Sequence, residues 1–238
     1  MEPTAVNPEA GPADEPAAPA EPAEPAGMAP DERRLRICEL LLVVGVGFLW
    51  STIGSLVDWL TGVRTPYWGV MSDVGRIVHA VVAISVLAYV LNRQGRDFRS
   101  IGLTARLSDI PLTLLLYFIS FGFEHVTAVV VHSFFPQHPH ANTPFHWSAV
   151  LPSAAVEELI VRAYLITEVA EIWNSVPLAV FVSIGFQTLY HLYQGTPAAL
   201  TSAGLFFVYA VFYATTRRIT PVILSHALMN FWILANAH

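Results

Sequence analysis

Seven apolar stretches recur along this 238-residue chain, at about 38–60, 73–91, 110–135, 148–171, 176–194, 198–216 and 220–236. Each comes close to the roughly 20 residues that a helix needs to cross the hydrocarbon core of a bilayer. In hydrocarbon a backbone amide has no water to pair with, so segments of this kind satisfy their amides internally as helices. The expected fold is therefore all-α, a polytopic transmembrane bundle of about seven spans. Composition agrees, because 54% hydrophobic and 13% charged residues are too apolar for a soluble domain of ordinary makeup.

Charge is segregated. Eight of the 18 acidic residues fall in the first 32 positions, so the net charge of −6 describes a tail and offers no surface for nucleic acid. Residues 1–32, with repeats such as Ala20-Glu21-Pro22-Ala23-Glu24-Pro25, hold too few bulky side chains to order a backbone and are expected to form a disordered tail. They lack the short basic start and apolar run of a signal peptide. Residues 33–238 form the expected membrane domain. Arg33, Arg34 and Arg36 precede the first span, Arg93, Arg96, Arg99 and Arg106 fill the second loop, and Arg217 and Arg218 fill the sixth. With seven spans these lie on one side, which the positive-inside rule makes the cytoplasm, so the N-terminus is expected inside and the C-terminus outside. The opposite loops carry Arg64, with Arg76 inside the start of a span. The tail and the arginine-only basic content fit a bacterial source and its inner membrane. A lone cysteine, Cys38, rules out an intramolecular disulfide.

An ionisable side chain at the bilayer centre costs about 2.5 kcal/mol or more, so each one needs a partner or a job. The fourth span concentrates three, Glu157, Glu158 and Arg162, in the run Ala154-Ala155-Val156-Glu157-Glu158-Leu159-Ile160-Val161-Arg162. Adjacent helical residues point about 100° apart, so the two carboxylates cannot both face the guanidinium. Glu158 and Arg162 are spaced i,i+4 with the acid first, the favourable order for a pair. Glu157 is left as the less neutralised carboxylate, the kind of buried group that serves as a general base. The competing reading is an ion-pair network that ties helices together.

The seventh span contributes His226 and Asn230, one turn apart on one face and both able to donate to a developing oxyanion. An interhelical hydrogen bond is the plainer role for such a histidine. The fifth span contributes His191 near its end, as an interfacial or a functional residue. Glu124 and His125, with His132 two turns on, sit in the third span and either line the same cavity or satisfy neighbouring helices. His138, His140 and His146 are interrupted by Pro136, Pro139 and Pro144, which favours a solvated loop over a metal cluster.

The order Glu-Glu-x-x-x-Arg, an isolated His, then His-x-x-x-Asn, each in its own apolar helix, resembles the CPBP family: the CAAX prenyl endopeptidases and bacteriocin-processing, or abortive-infection, intramembrane proteases. The surroundings His191-Leu192-Tyr193-Gln194-Gly195 and Thr220-Pro221-Val222-Ile223-Leu224-Ser225-His226 are similar too, and the resemblance covers about residues 100–235. One position departs: the family's second motif is usually Phe-x-x-x-His, and Gln187 stands where that Phe would fall, with Phe186 one position earlier. The resemblance implies that Glu157 and His191 hold and deprotonate a water, that His226 and Asn230 stabilise the oxyanion, and that Glu158 and Arg162 support Glu157. It implies no cofactor. A zinc-dependent version would use Glu157, His191 and His226 as ligands, although no HExxH helix is present and Asn230 is a poor zinc ligand.

The implied activity is hydrolysis of peptide bonds in membrane-associated substrates, with the bilayer and such a protein or peptide as partners. Two readings from other classes compete. A non-catalytic immunity or scaffold protein of the same fold draws support from Gln187, and a small transporter would explain polar residues in a bundle but calls for an inverted repeat that is not visible. Depth raises a difficulty as well. At about 1.5 Å per residue, straight spans put Glu157 near mid-membrane, His191 near the outer face and His226 toward the cytoplasm.

Overall fold

The structure is a computed structural model that describes residues 28–62, 73–135 and 147–236. Arg64, His138, His140, His146 and the tail up to residue 27 lie outside the described residues. The described chain is all-helical, with seven helices. These are α1 (Pro30–Thr61), α2 (Asp73–Arg93), α3 (Asp109–Phe134), α4 (150–173), α5 (Val176–Tyr190), α6 (Thr196–Thr216) and α7 (Thr220–Ala235). Four are long and apolar enough to cross a bilayer: α1, α2 from Val74, α3 and α6. The shorter α5 and α7 are equally apolar in character. Helix α4 is composite, α-helical over Val150–Glu157, π-helical over Glu158–Tyr164 and α-helical again over Leu165–Trp173.

Local chemistry sets the boundaries. Proline stands in the first two positions of α1, α5, α6 and α7, where its missing N–H costs no helical bond. The Ser175 hydroxyl caps α5 by accepting from the Leu178 amide at 3.3 Å. Asn174 and Arg217 close α4 and α6 in the left-handed conformation, at φ 49° and 54°.

Helix α4 is the centre of the bundle. Every residue from Glu158 to Val169 is buried, and α4 packs against α1, α2, α5, α6 and α7, while α3 lies outside, against α6 and α7. Gly204 on α6 permits that last approach, since a Cβ there would stand 2.3 Å from the Thr127 hydroxyl. The perimeter is apolar: Trp50, Leu60, Val81, Phe118, Val126 and Phe181 are all more than half exposed. Glu39, Asp58, Asp109, Glu158, Arg162 and Glu168 are meanwhile buried, an arrangement suited to lipid and not to water. The chain is an integral membrane protein.

Two features resolve the depth difficulty. The tight α4–α5 turn at Asn174 and Ser175 makes those helices antiparallel, and Glu157 and Tyr190 lie about equally far from it. Their side chains consequently meet, with the Tyr190 hydroxyl 2.8 Å from Glu157 Oε2. Helix α7 is raised from below by the 94–108 segment, which folds into the bundle and buries Ile101 completely. The Tyr213 hydroxyl is 3.1 Å from the carbonyls of both Ile101 and Ala163, the Ile219 amide donates to the Gly102 carbonyl at 3.2 Å, and Thr220 Oγ1 donates to the Thr104 carbonyl at 2.8 Å. The start of α7 is thereby level with Ala163, about 15 Å deeper than the end of α4 at 1.5 Å per residue. His226 then stands opposite Glu158. Gly102 makes this possible, because a Cβ there would lie 2.1 Å from the Arg217 carbonyl oxygen, and its φ of 86° is a glycine conformation.

Among the described residues, Arg33, Arg36, Arg93, Arg96 and Arg218 gather at one end. Arg36 and Arg96 both reach Glu168, at 3.0 and 2.6 Å, and Arg36 also reaches Glu171 at 2.9 Å. Arg93 pairs with Glu39, Arg218 pairs with Asp109, and Arg33 lies over Trp173. This arginine-rich end explains the buried acids Glu39, Asp109 and Glu168, each matched by a cation.

Candidate active site

The two adjacent carboxylates of α4 have different surroundings. Glu158 is fully buried. Its Oε1 is 2.7 Å from His226 Nδ1, and its Oε2 is 3.6 Å from Arg162 Nε, close enough for an ion pair but too far for a hydrogen bond. The expected i,i+4 pair exists, loosened by the wider π-helical turn that carries both residues. Arg162 gives its hydrogen bond to Ser183 on α5, Nη1 to Oγ at 3.1 Å, and the same hydroxyl donates to the Val161 carbonyl at 2.7 Å. The guanidinium also lies over the Phe206 ring, 5.5 Å from its centroid.

Glu157 is only half-buried, and among the described residues no cation is bonded to it. Its Oε2 accepts two neutral hydrogen bonds from α5, from Gln187 Nε2 at 3.1 Å and from the Tyr190 hydroxyl at 2.8 Å. Its Oε1 accepts none from the described residues.

His191 follows at the end of α5. Its Nδ1 is 2.8 Å from the Gln187 carbonyl. A carbonyl only accepts, so Nδ1 carries the proton, and in the neutral ring Nε2 keeps its lone pair. The imidazole is packed by Tyr190, Phe206 and Tyr193, with ring centroids at 4.5, 4.9 and 6.2 Å. Asn230 lies one turn beyond His226 on α7 and is half-buried. Electrostatic interactions run from His191 to both Glu157 and His226, and from His226 to Glu157, Glu158 and Arg162. The helices thus bring Glu157, Glu158, Arg162, His191 and His226 into one neighbourhood, with Asn230 a turn away.

Two residues in this neighbourhood are not recognisable as site residues from the sequence alone. Tyr190 stands beside the second-motif histidine, and its contact with Glu157 depends on the α4–α5 hairpin. Gln187 reads only as a departure from an aromatic, whereas it touches Glu157 with its side chain and His191 with its backbone. Glu124 on α3 is half-buried and interacts electrostatically with His226, while His125 is exposed. Among the described residues no group of three or more His, Cys, Asp and Glu side chains is arranged to hold a metal ion. His191 and His226 each use Nδ1 in a hydrogen bond, to the Gln187 carbonyl and to Glu158, which is compatible with a metal ion on Nε2.

Comparison with known families adds an independent line. Residues 139–232 match the family model of the Rce1-like type II CAAX prenyl endopeptidases. The matched stretch contains all three motifs, from Glu157 to Asn230, and leaves out α1 to α3. It is consistent with the CPBP resemblance and supports peptidase activity. No curated protein and no solved structure matches the chain.

Proposed function

We propose that this protein is an intramembrane endopeptidase that cleaves a membrane-associated protein or peptide with a water activated by Glu157. The observation that carries the reading is the contrast within one pair of neighbours: Glu158 is neutralised by Arg162 and bonded to His226, while Glu157 meets only neutral donors and keeps Oε1 unbonded. A carboxylate oxygen with neither a hydrogen-bond partner nor a paired cation, unlike Glu158 Oε2 beside Arg162, is what proton abstraction from water requires in a site walled by apolar helices.

In the reaction, Glu157 Oε1 takes a proton from water while His191 Nε2 accepts the other hydrogen bond and holds the attacking oxygen. As the scissile carbonyl becomes tetrahedral, negative charge collects on its oxygen. With both ring nitrogens of His226 protonated, Nδ1–H is spent on Glu158 and Nε2–H remains for that oxyanion, joined by the Asn230 amide. Protonated Glu157 then returns its proton to the leaving amine. Glu158 and Arg162 fix the α4 face from which Glu157 projects. We place the arginine-rich end in the cytoplasm of a bacterial inner membrane.

The test is a comparison of membrane proteomes from cells carrying the wild-type protein and Glu157→Gln. New peptide termini present only with the wild type support the reading, and identical termini with a folded variant sink it. The non-catalytic alternative, a scaffold or immunity protein of the same fold, predicts full complementation by Glu157→Gln and His226→Ala. A zinc-dependent peptidase instead predicts inhibition by a chelator that added zinc reverses. Farnesylated and unmodified peptides of one Cys-aliphatic-aliphatic-any sequence separate CAAX processing from cleavage of other membrane-bound tails.

A further inference from the structure

The face of α5 that looks at α4 is a ladder of polar side chains in an apolar helix: Ser183, Gln187, Tyr190 and His191. Ser183 is spent on Arg162. The other three converge on one task. Gln187 is fully buried and Tyr190 nearly so, and both donate to a single oxygen, Glu157 Oε2. The Gln187 backbone carbonyl fixes the proton of His191 on Nδ1. Tyr190 is itself held from behind, stacked on Phe48 of α1 at 4.8 Å and 28° and edge-on to Phe186 at 5.7 Å.

We infer that Gln187 and Tyr190 are positioning residues that clamp Oε2 of Glu157 and so present Oε1 as the reacting oxygen. A glutamate side chain has three rotatable bonds, and two donors on one oxygen leave the carboxylate a single orientation. Gln187, standing where the resembled family carries an aromatic, therefore changes how the base is held without removing it. The inference rests on the peptidase reading above.

Both members can be altered with little change in volume. Tyr190→Phe deletes one hydroxyl and keeps the stack on Phe48, and Gln187→Leu removes the donor. Two readouts apply. The first is the rate at which Glu157-dependent peptide termini appear in membranes, expected to fall about tenfold in each variant, the scale of one hydrogen bond to a charged group. The second is modification of Glu157 by the apolar reagent dicyclohexylcarbodiimide, followed by mass spectrometry. A carboxyl group released from its donors reacts faster, so labelling of Glu157 rises about tenfold, while labelling of Glu124, which touches neither residue, stays constant. Unchanged Glu157 labelling in both variants, or faster labelling with termini appearing at the wild-type rate, overturns the clamp. Should Gln187→Leu fail to fold, Tyr190→Phe alone decides between these results. Absence of any Glu157-dependent terminus in the wild type overturns the peptidase reading, and the clamp's role with it.

Discussion

Helix α4 carries buried carboxylates in two settings about three turns apart. At the arginine-rich end, Glu168 is fully buried between Arg36 and Arg96, with Glu171 beside it. Toward the other end, Glu157 is half-buried, and its partners are an amide and a phenol. A carboxylate whose task is to join helices is matched by cations, because unmatched burial is costly. One whose task is proton transfer, the role proposed for Glu157, is kept in place by neutral donors, which orient it without an ion pair. Glu158 stands between the two cases, paired like Glu168 and adjacent to Glu157.

This contrast can be broken by four substitutions. Glu157→Gln should lower cleavage by about 10³-fold or more, the effect of losing a group that acts only in the transition state, with the detergent-solubilised protein melting as before. A large loss of thermal stability in this variant would put Glu157 with the structural carboxylates. Glu158→Gln leaves the Arg162 guanidinium buried without its countercharge and should destabilise by about 3–5 kcal/mol, read as a shifted unfolding midpoint in denaturant. Glu168→Gln should cost less, about 2 kcal/mol, because Glu171 still faces both arginines; whatever protein remains folded should cleave at the wild-type rate, and a selective loss of turnover would invert the comparison. Arg36→Gln is the mildest. Arg36 is partly exposed and Arg96 keeps its hold on Glu168, so the expected change is below about 1 kcal/mol, and the same unfolding curve measures it.

Much of this was legible beforehand, for physical reasons that differ by feature. The seven helices follow from apolar length alone, and apart from the start of α1, which lies eight residues earlier at Pro30, their ends fall within a few residues of the apolar runs, because the prolines and arginines that bound them act locally. The Glu158–Arg162 pair follows from helical spacing. The meeting of Glu157 with α5 does not, since it depends on how far each residue lies from the turn at Asn174. The height of His226 depends on Ile101, Gly102 and Thr104, residues of a connecting segment with no visible link to α7. Gln187 shows the limit most sharply: in the sequence it weakens a motif, whereas in the fold its amide and its carbonyl serve two different residues.

The π-helical stretch Glu158–Tyr164 bears on evolution and engineering alike. A π turn has the geometry of an α-helix with one residue inserted, and one residue corresponds to about 100° of rotation. Were the stretch to rewind into regular α-helix with no residue removed, everything beyond it would swing by that angle, carrying Glu168 away from Arg36 and Arg96 while Glu157 kept its place. The segment therefore works as a phase shifter along one rod, setting the facing of its upper half independently of its lower half. A variant shortened by one residue within the stretch would instead give a regular α-helix with both halves facing as they do now, keeping the polar contacts at both ends.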